Sequence, residues 1–230
     1  MAQKIELFPG DSSNWQVSSP PELRRRASLL LNPRAKNDRQ IVKTAINLAT
    51  RNRKAPIPSG LDYVGSGSFG DVFKCGDYAF KTPVKPSLYQ YAAMAPNTIA
   101  ASTAVRLGLE TLPSSKRKID DLTLGGVAVH AAIFPEKFGN GCQPVIIMNH
   151  VPGEQAHLDE PDLREIGEII HRGLSNINYP PKHVRLDMAN RNLIANTSRG
   201  ALTKIDTMGP GVPYESLSAY LRRQASASNV

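Results

Sequence analysis

The chain has 230 residues, 40% of them hydrophobic, enough for one or two compact units around a real apolar core. Its longest uninterrupted aliphatic run, Val145–Met148, is far below the roughly 20 residues of a membrane span, "MAQKIELFPGDSSNW" lacks the apolar stretch of a cleavable signal peptide, and two cysteines, Cys75 and Cys142, cannot build a disulfide framework and are expected to be reduced. The formal charge of +8 is spread out, with only Arg24–Arg26 and Lys116–Lys118 as short basic runs and no aromatic residues among them, so a solvated basic face is expected and no nucleic-acid partner.

Along the chain, residues 1–20 are Ser/Pro-rich and read as a disordered tail. Residues 21–54 carry two helical patterns, "PPELRRRASLLLN" and "KNDRQIVKTAINLATRNRK", the second with Ile41, Ala45 and Leu48 at i, i+4, i+7. Arg25-Arg26-Ala27-Ser28 resembles a basophilic phosphorylation site, although the polar face of a helix start explains it more simply. "APIPSG" ends the second helix. Residues 55–148 are expected to form a small lobe with a helix around 97–109 and strands near Val127–Phe134 and Val145–Met148. Residues 149–223 should hold a helix from Glu160 to Leu174, two short strands and a closing helix at Tyr214–Arg223, with a polar tail at 224–230.

Chemistry enters at "VGSGSFGDVFKCGDYAFK". A Gly65-x-Gly67-x-x-Gly70 loop opening a helix would suit a dinucleotide, with an acid about 20 residues later. Here Val72 and Phe73 lead instead into a Gly76-Asp77 turn and the short strand Tyr78-Ala79-Phe80, and residue 90 is Gln90. Strand–loop–strand lets the backbone N–H groups of Gly65, Ser66, Gly67, Ser68, Phe69 and Gly70 fold over a triphosphate, with Val72 following. Three glycines alone are more often a surface turn. Lys81, at the end of the next strand, can reach back to the α- and β-phosphates, and its position separates it from the other basic residues.

About a hundred residues later, "VRLDMANRNLIA" and "LTKIDTMG" place Asp187, Asn192 and Asp206 in order. Asp187 is suited to accept or orient a substrate hydroxyl proton. Asn192 and Asp206 offer hard oxygen ligands for Mg2+ on the phosphates of ATP. "NLIANTSRGALTKID" reads as two strands around a Ser198-Arg199-Gly200 turn, a hairpin that brings Asn192 and Asp206 together. Any one of these acids alone would pass for a cap or a turn residue. His183 stands near Asp187, but Pro180-Pro181 put it in a loop.

These segments resemble the eukaryotic-type protein kinases. "GSGSFGDV" is similar to the glycine-rich loop, "YAFK" to the strand with the phosphate-binding lysine, "VRLDMANRN" to the catalytic loop and "KIDTMG" to the metal-binding segment. "PVIIMNHVPGE" resembles the strand and hinge that bind adenine. The resemblance implies Met148 as gatekeeper, Asn149 to Val151 as hinge with Val151 bonding the adenine edge, and Glu154 near the ribose. It implies a two-lobed α+β kinase fold, with a strongly reduced C-terminal lobe and an N-terminal helical extension. The implied cofactors are ATP and Mg2+.

The departures narrow the resemblance. Leu186 stands where an arginine usually precedes the catalytic aspartate, which removes the receptor for a phosphorylated activation loop. Arg185 replaces a histidine, Ala189 replaces a basic residue with Arg191 as nearest substitute, and Thr207-Met208 replaces Phe-Gly. The helix expected to supply an acid to Lys81 has none before Glu110; Glu110, Asp120, Asp121 or no residue fills that place. Only 24 residues follow Asp206. Such a short large lobe resembles the effector kinases that bacteria inject into host cells, most of all the HopBF family, with the OspG/NleH type second. The first implies a serine/threonine kinase delivered by a type III-like system to the host cytoplasm. It would act there as a monomer on the ninety-kilodalton heat-shock chaperone. The second implies a ubiquitin-type activator and a target in host immune signalling. A nucleotide-binding pseudokinase scaffold and a small-molecule phosphotransferase are the other classes that these motifs allow.

Overall fold

The computed structural model describes residues 5–9, 36–50, 56–66, 70–82, 101–135, 145–179 and 184–208. They fall into two compact units. The first takes its described residues from 5–82 and 129–150, the second from 101–128 and 151–208.

The first unit is built on a six-stranded antiparallel sheet. Its strands are β1 (Ile5–Pro9), β2 (Asp62–Ser66), β3 (Asp71–Cys75), β4 (Tyr78–Thr82), β7 (Val129–Pro135) and β8 (Val145–Asn149), in the order β1-β7-β8-β4-β3-β2. Gly76, at φ +58°, makes the left-handed corner of the β3–β4 hairpin, where a side chain would be strained. Helix α1 (Lys36–Thr50) lies against this sheet: Ala45, Leu48 and Ala49 are fully buried with Phe73, Phe80, Val145 and Ile147. The hydrophobic spacing read from the sequence is therefore the face that packs. Strand β1 falls within the stretch expected to be a tail. Its pairing with β7, from Ile5↔Pro135 to Pro9↔Ala131, places 5–9 on the sheet edge instead.

The second unit holds helix α2 (helical over 101–110), helix α3 (Glu160–Asn176) and two small sheets. One is five-stranded, in the order β5 (Lys118–Ile119), β6 (Leu122–Gly126), β12 (Ala201–Lys204), β11 (Leu193–Asn196), β9 (Glu154–Gln155). The other pairs β10 (Arg185–Leu186) with β13 (Thr207–Met208). Asp159 caps α3, its Oδ1 accepting the Asp162 N–H at 3.0 Å. Glu160 and Asp162 add negative charge where the helix dipole favours it. Ile166, Ile169, Ile170, Gly173 and Leu174 form its buried stripe.

Residues 101–128 were expected in the small lobe at 55–148; their contacts run otherwise. Strand β6 pairs in parallel with β12, Thr123↔Ala201 to Gly126↔Lys204. Helix α2 meets α3 backbone to backbone, since a Cβ on Gly108 would lie 2.7 Å from the Gly173 carbonyl carbon. Ala101, Ala104, Val105 and Leu109 are buried, as is Ser102. A helix covered on nearly every side is a core helix. Within the Lys116–Lys118 run, the two lysines are exposed, but Arg117 donates from Nε to Leu112 O and from a terminal nitrogen to Leu124 O. The helix expected at 21–32 and the closing helix at Tyr214–Arg223 lie outside the described residues.

Candidate active site

The first unit gathers three of the expected nucleotide residues on one sheet face. Paired residues of an antiparallel ladder share a face, and neighbours along a strand alternate. Lys81 pairs with Val72 on one side and Ile146 on the other, and Ala79 pairs with Met148. Phe73, Phe80, Val145 and Ile147 belong to the opposite face, against α1. Val72, Lys81 and Met148 therefore share the face away from α1, with Met148 buried and Lys81 half-buried. Gly65 and Ser66 end β2, with a register irregularity between Tyr63 and Gly65, and Gly70 is buried just before β3. Gly67, Ser68 and Phe69 lie outside the described residues.

The segment expected to be a hinge begins in this unit with two fastenings. Asn149 Oδ1 lies 2.5 Å from His130 Nε2, and the His150 N–H donates to Asp77 O at 2.8 Å. Burial and nearby Lys74 push the His150 imidazole below its usual pKa, against the opposing pull of Asp77. Val151 and Glu154 lie in the second unit. Val151 is half-buried, and Glu154 is exposed on β9, opposite Ala195.

The second unit brings the other three residues together. Leu186, just before Asp187, pairs with Thr207, just after Asp206. The two acids thus sit side by side where this ladder ends. Asn192, 6% exposed, closes the group: its Nδ2 donates to Asp187 O at 3.2 Å, and its own carbonyl accepts the Ile205 N–H at 2.9 Å. The expected hairpin is present as β11–β12, with Gly200 at φ +58° as its left-handed turn residue.

Burial alone would raise the Asp187 pKa, but three partners outweigh it. The Ala189 N–H donates to Oδ1 at 3.2 Å, Arg191 places a guanidinium nitrogen 3.0 Å from Oδ2, and the Asn192 amide adds a further donor. Together they hold the carboxyl below its usual range. Its side chain remains 38% exposed, so the carboxylate is partly open to solvent. Asn190 anchors the same loop to the entrance of α3, with Nδ2 donating to Leu158 O at 3.0 Å and Oδ1 accepting Leu158 N at 3.1 Å.

Asp206 and Asn192 offer one carboxylate and one amide oxygen. Mg2+ suits such a sparse hard set, because it keeps water and phosphate oxygens in its remaining positions. With the Asn192 main-chain oxygen taken by the Ile205 N–H and its Nδ2 by Asp187 O, the side-chain Oδ1 is the atom to offer a cation. Among the described residues, no group of three or more His, Cys, Asp or Glu is placed to hold a metal ion.

Sequence reasoning missed Asn190, Ser102 and Lys204. Lys204 is only 1% exposed, and its Nζ donates to the main-chain oxygen of Asp206. The signal was the strand period: Leu202 and Lys204 are two apart and both buried. Glu110, a candidate acid for Lys81, is 2.6 Å from Arg106 on its own helix.

No family model, curated protein or solved structure matches this chain.

Proposed function

We propose that this chain is an ATP-dependent serine/threonine protein kinase. The observation that carries the reading is the Leu186–Thr207 pair, which sets Asp187 and Asp206 beside each other with Asn192 bonded to both neighbouring backbones. Asp187, kept ionised by Ala189 N–H and Arg191, is the group to accept or orient the acceptor hydroxyl proton. Asn192 and Asp206 would hold Mg2+. Lys81 would bind the α- and β-phosphates, the glycine loop would cover them, and Val72 and Met148 would line the adenine, with Val151 bonding its edge and Glu154 near the ribose. Bound ATP supplies the phosphoryl group, and the chain contributes positioning and charge. No helix among the described residues is long and apolar enough to cross a membrane. By its resemblance to effector kinases, the acceptor is a host protein, the ninety-kilodalton heat-shock chaperone first.

The test is transfer of labelled γ-phosphate in eukaryotic lysate with Mg2+, intact chain against Asp206→Ala. One strong band at the chaperone's size, lost in the variant, supports the reading. Labelling that needs ubiquitin or its conjugating enzymes favours the OspG/NleH type. Transfer to an aminoglycoside or sugar, with no protein labelled, overturns it.

A pseudokinase is the second reading, favoured by the Arg106–Glu110 ion pair, which engages the one acid of α2. Nucleotide binding with no transfer to any protein would decide for it.

A further inference from the structure

Two consecutive carbonyls beside the candidate metal acid are held by buried side chains from different elements. Lys204 Nζ donates to Asp206 O, and Ser102 Oγ, from α2, donates to Thr207 O at 3.2 Å. Both donors are unusual for their surroundings. A lysine is almost never fully buried without a partner, and Lys204 is among the largest fully buried side chains here. A serine inside a helix ordinarily bonds the carbonyl one turn back or faces water; Ser102, 3% exposed, instead reaches a residue 105 positions away.

The backbone around Lys204 is hydrogen-bonded from several sides. The Lys204 backbone is clamped on both sides: it pairs with Leu193 on β11, and its carbonyl accepts the Val127 N–H at 3.0 Å. Ile205 N–H is bonded to Asn192 O. Residues 205–206 lie between β12 and β13 outside either strand, and these donors hold the carbonyls on the Asp206 side of that link. Each carbonyl is held from a different side, one from the strand and one from the helix.

We propose that Lys204 and Ser102 are positioning residues for Asp206, fixing the backbone that aims its carboxylate at the metal. This rests on the kinase reading, through Asp206 as a metal ligand. Groups that orient a metal ligand without touching the metal typically change metal affinity by about 10–100-fold when removed. Lys204 also places a positive charge behind the acid, so its neutral replacement has two opposing effects, a freer carboxylate and a less repelled cation. Ser102 carries no charge, and the Ser102 variants therefore isolate orientation.

The experiment is ATP binding by the full chain, by calorimetry, in Mg2+ and in EDTA, for the wild type, Lys204→Met, Ser102→Ala, Ser102→Thr and Asp206→Asn. The wild type should bind ATP more tightly with Mg2+, and Asp206→Asn should remove that gain. Ser102→Ala is expected to lose about tenfold of the gain while keeping its affinity in EDTA. Ser102→Thr, which retains the hydroxyl, should recover most of it. Lys204→Met should lose less of the gain than Ser102→Ala, because the removed positive charge offsets part of the lost orientation. If Lys204→Met fails to fold, the Ser102 pair decides. An unchanged Mg2+ gain in folded Ser102→Ala, with Asp206→Asn still abolishing it, overturns the positioning role and leaves the kinase reading standing. No Mg2+ gain in the wild type overturns both.

Discussion

Arg191 grips the catalytic candidate Asp187 from four residues down the chain, its guanidinium nitrogen 3.0 Å from Oδ2. The Arg191 side chain is largely solvated and that of Asp187 partly so, and a solvent-screened pair contributes little to stability; its effect is on the carboxyl's proton. Arg191→Met should raise the Asp187 pKa toward the ordinary carboxylate range, read by carbon-detected NMR titration. If Asp187 is the base, the acid limb of the rate profile moves up in pH with it. An unmoved Asp187 titration would mean that the Ala189 N–H and the Asn192 amide suffice without Arg191.

Asn190 imitates a strand neighbour for Leu158, giving one hydrogen bond and receiving another. Asn190→Ala leaves both backbone groups of Leu158 without their partner, at a cost of about 1–3 kcal/mol. Asn190→Asp keeps the acceptor and should cost less. Urea unfolding checks the order. A fall in kcat at unchanged KM in either variant would show that the anchor sets the loop's geometry.

Gly108 and Gly173 permit α2 and α3 to touch at the backbone. A Cβ on either would meet the other's carbonyl carbon at 2.7 Å. Each single alanine substitution should cost about 1–3 kcal/mol or more, because backbone cannot swing aside as a side chain can. The double variant should cost less than the sum of the singles, since the first insertion already separates the helices. Additive urea midpoints would place the two contacts apart.

The local pattern made much of this legible. The run Val145–Met148 is β8, the apolar spacing after Glu160 is α3, and Gly200 turns the β11–β12 hairpin. Asp187, Asn192 and Asp206, singled out by spacing, lie together because the hairpin and the β10–β13 pair close the distance between them. Long-range pairings gave no such signal. "LTLGG" ends in two glycines, poor strand formers, yet β6 takes its place beside β12 through parallel ladder bonds. Gly108 and Gly173 are ordinary helical glycines in the sequence, and their meaning lies only in their apposition. That apposition and the β6 pairing group α2 with α3 instead of with the glycine-loop sheet. Ser102 was hidden for the same reason, since its partner is on β13.

His150 supplies a pH-dependent test of the first unit. Burial and Lys74 lower its pKa more than Asp77 raises it, so the unfolded chain takes up this proton first. The associated stability is therefore complete above the ordinary histidine pKa of about 6.5 and declines as pH falls through that value toward the folded pKa. His150→Gln should flatten this part of the urea-midpoint profile between about pH 7 and 5. Lys74→Ala should raise the His150 pKa and Asp77→Asn should lower it further, both read from the imidazole proton shifts. If Lys74→Ala leaves the titration in place, burial alone is the cause, and the flattening in His150→Gln should then persist in the Lys74→Ala background.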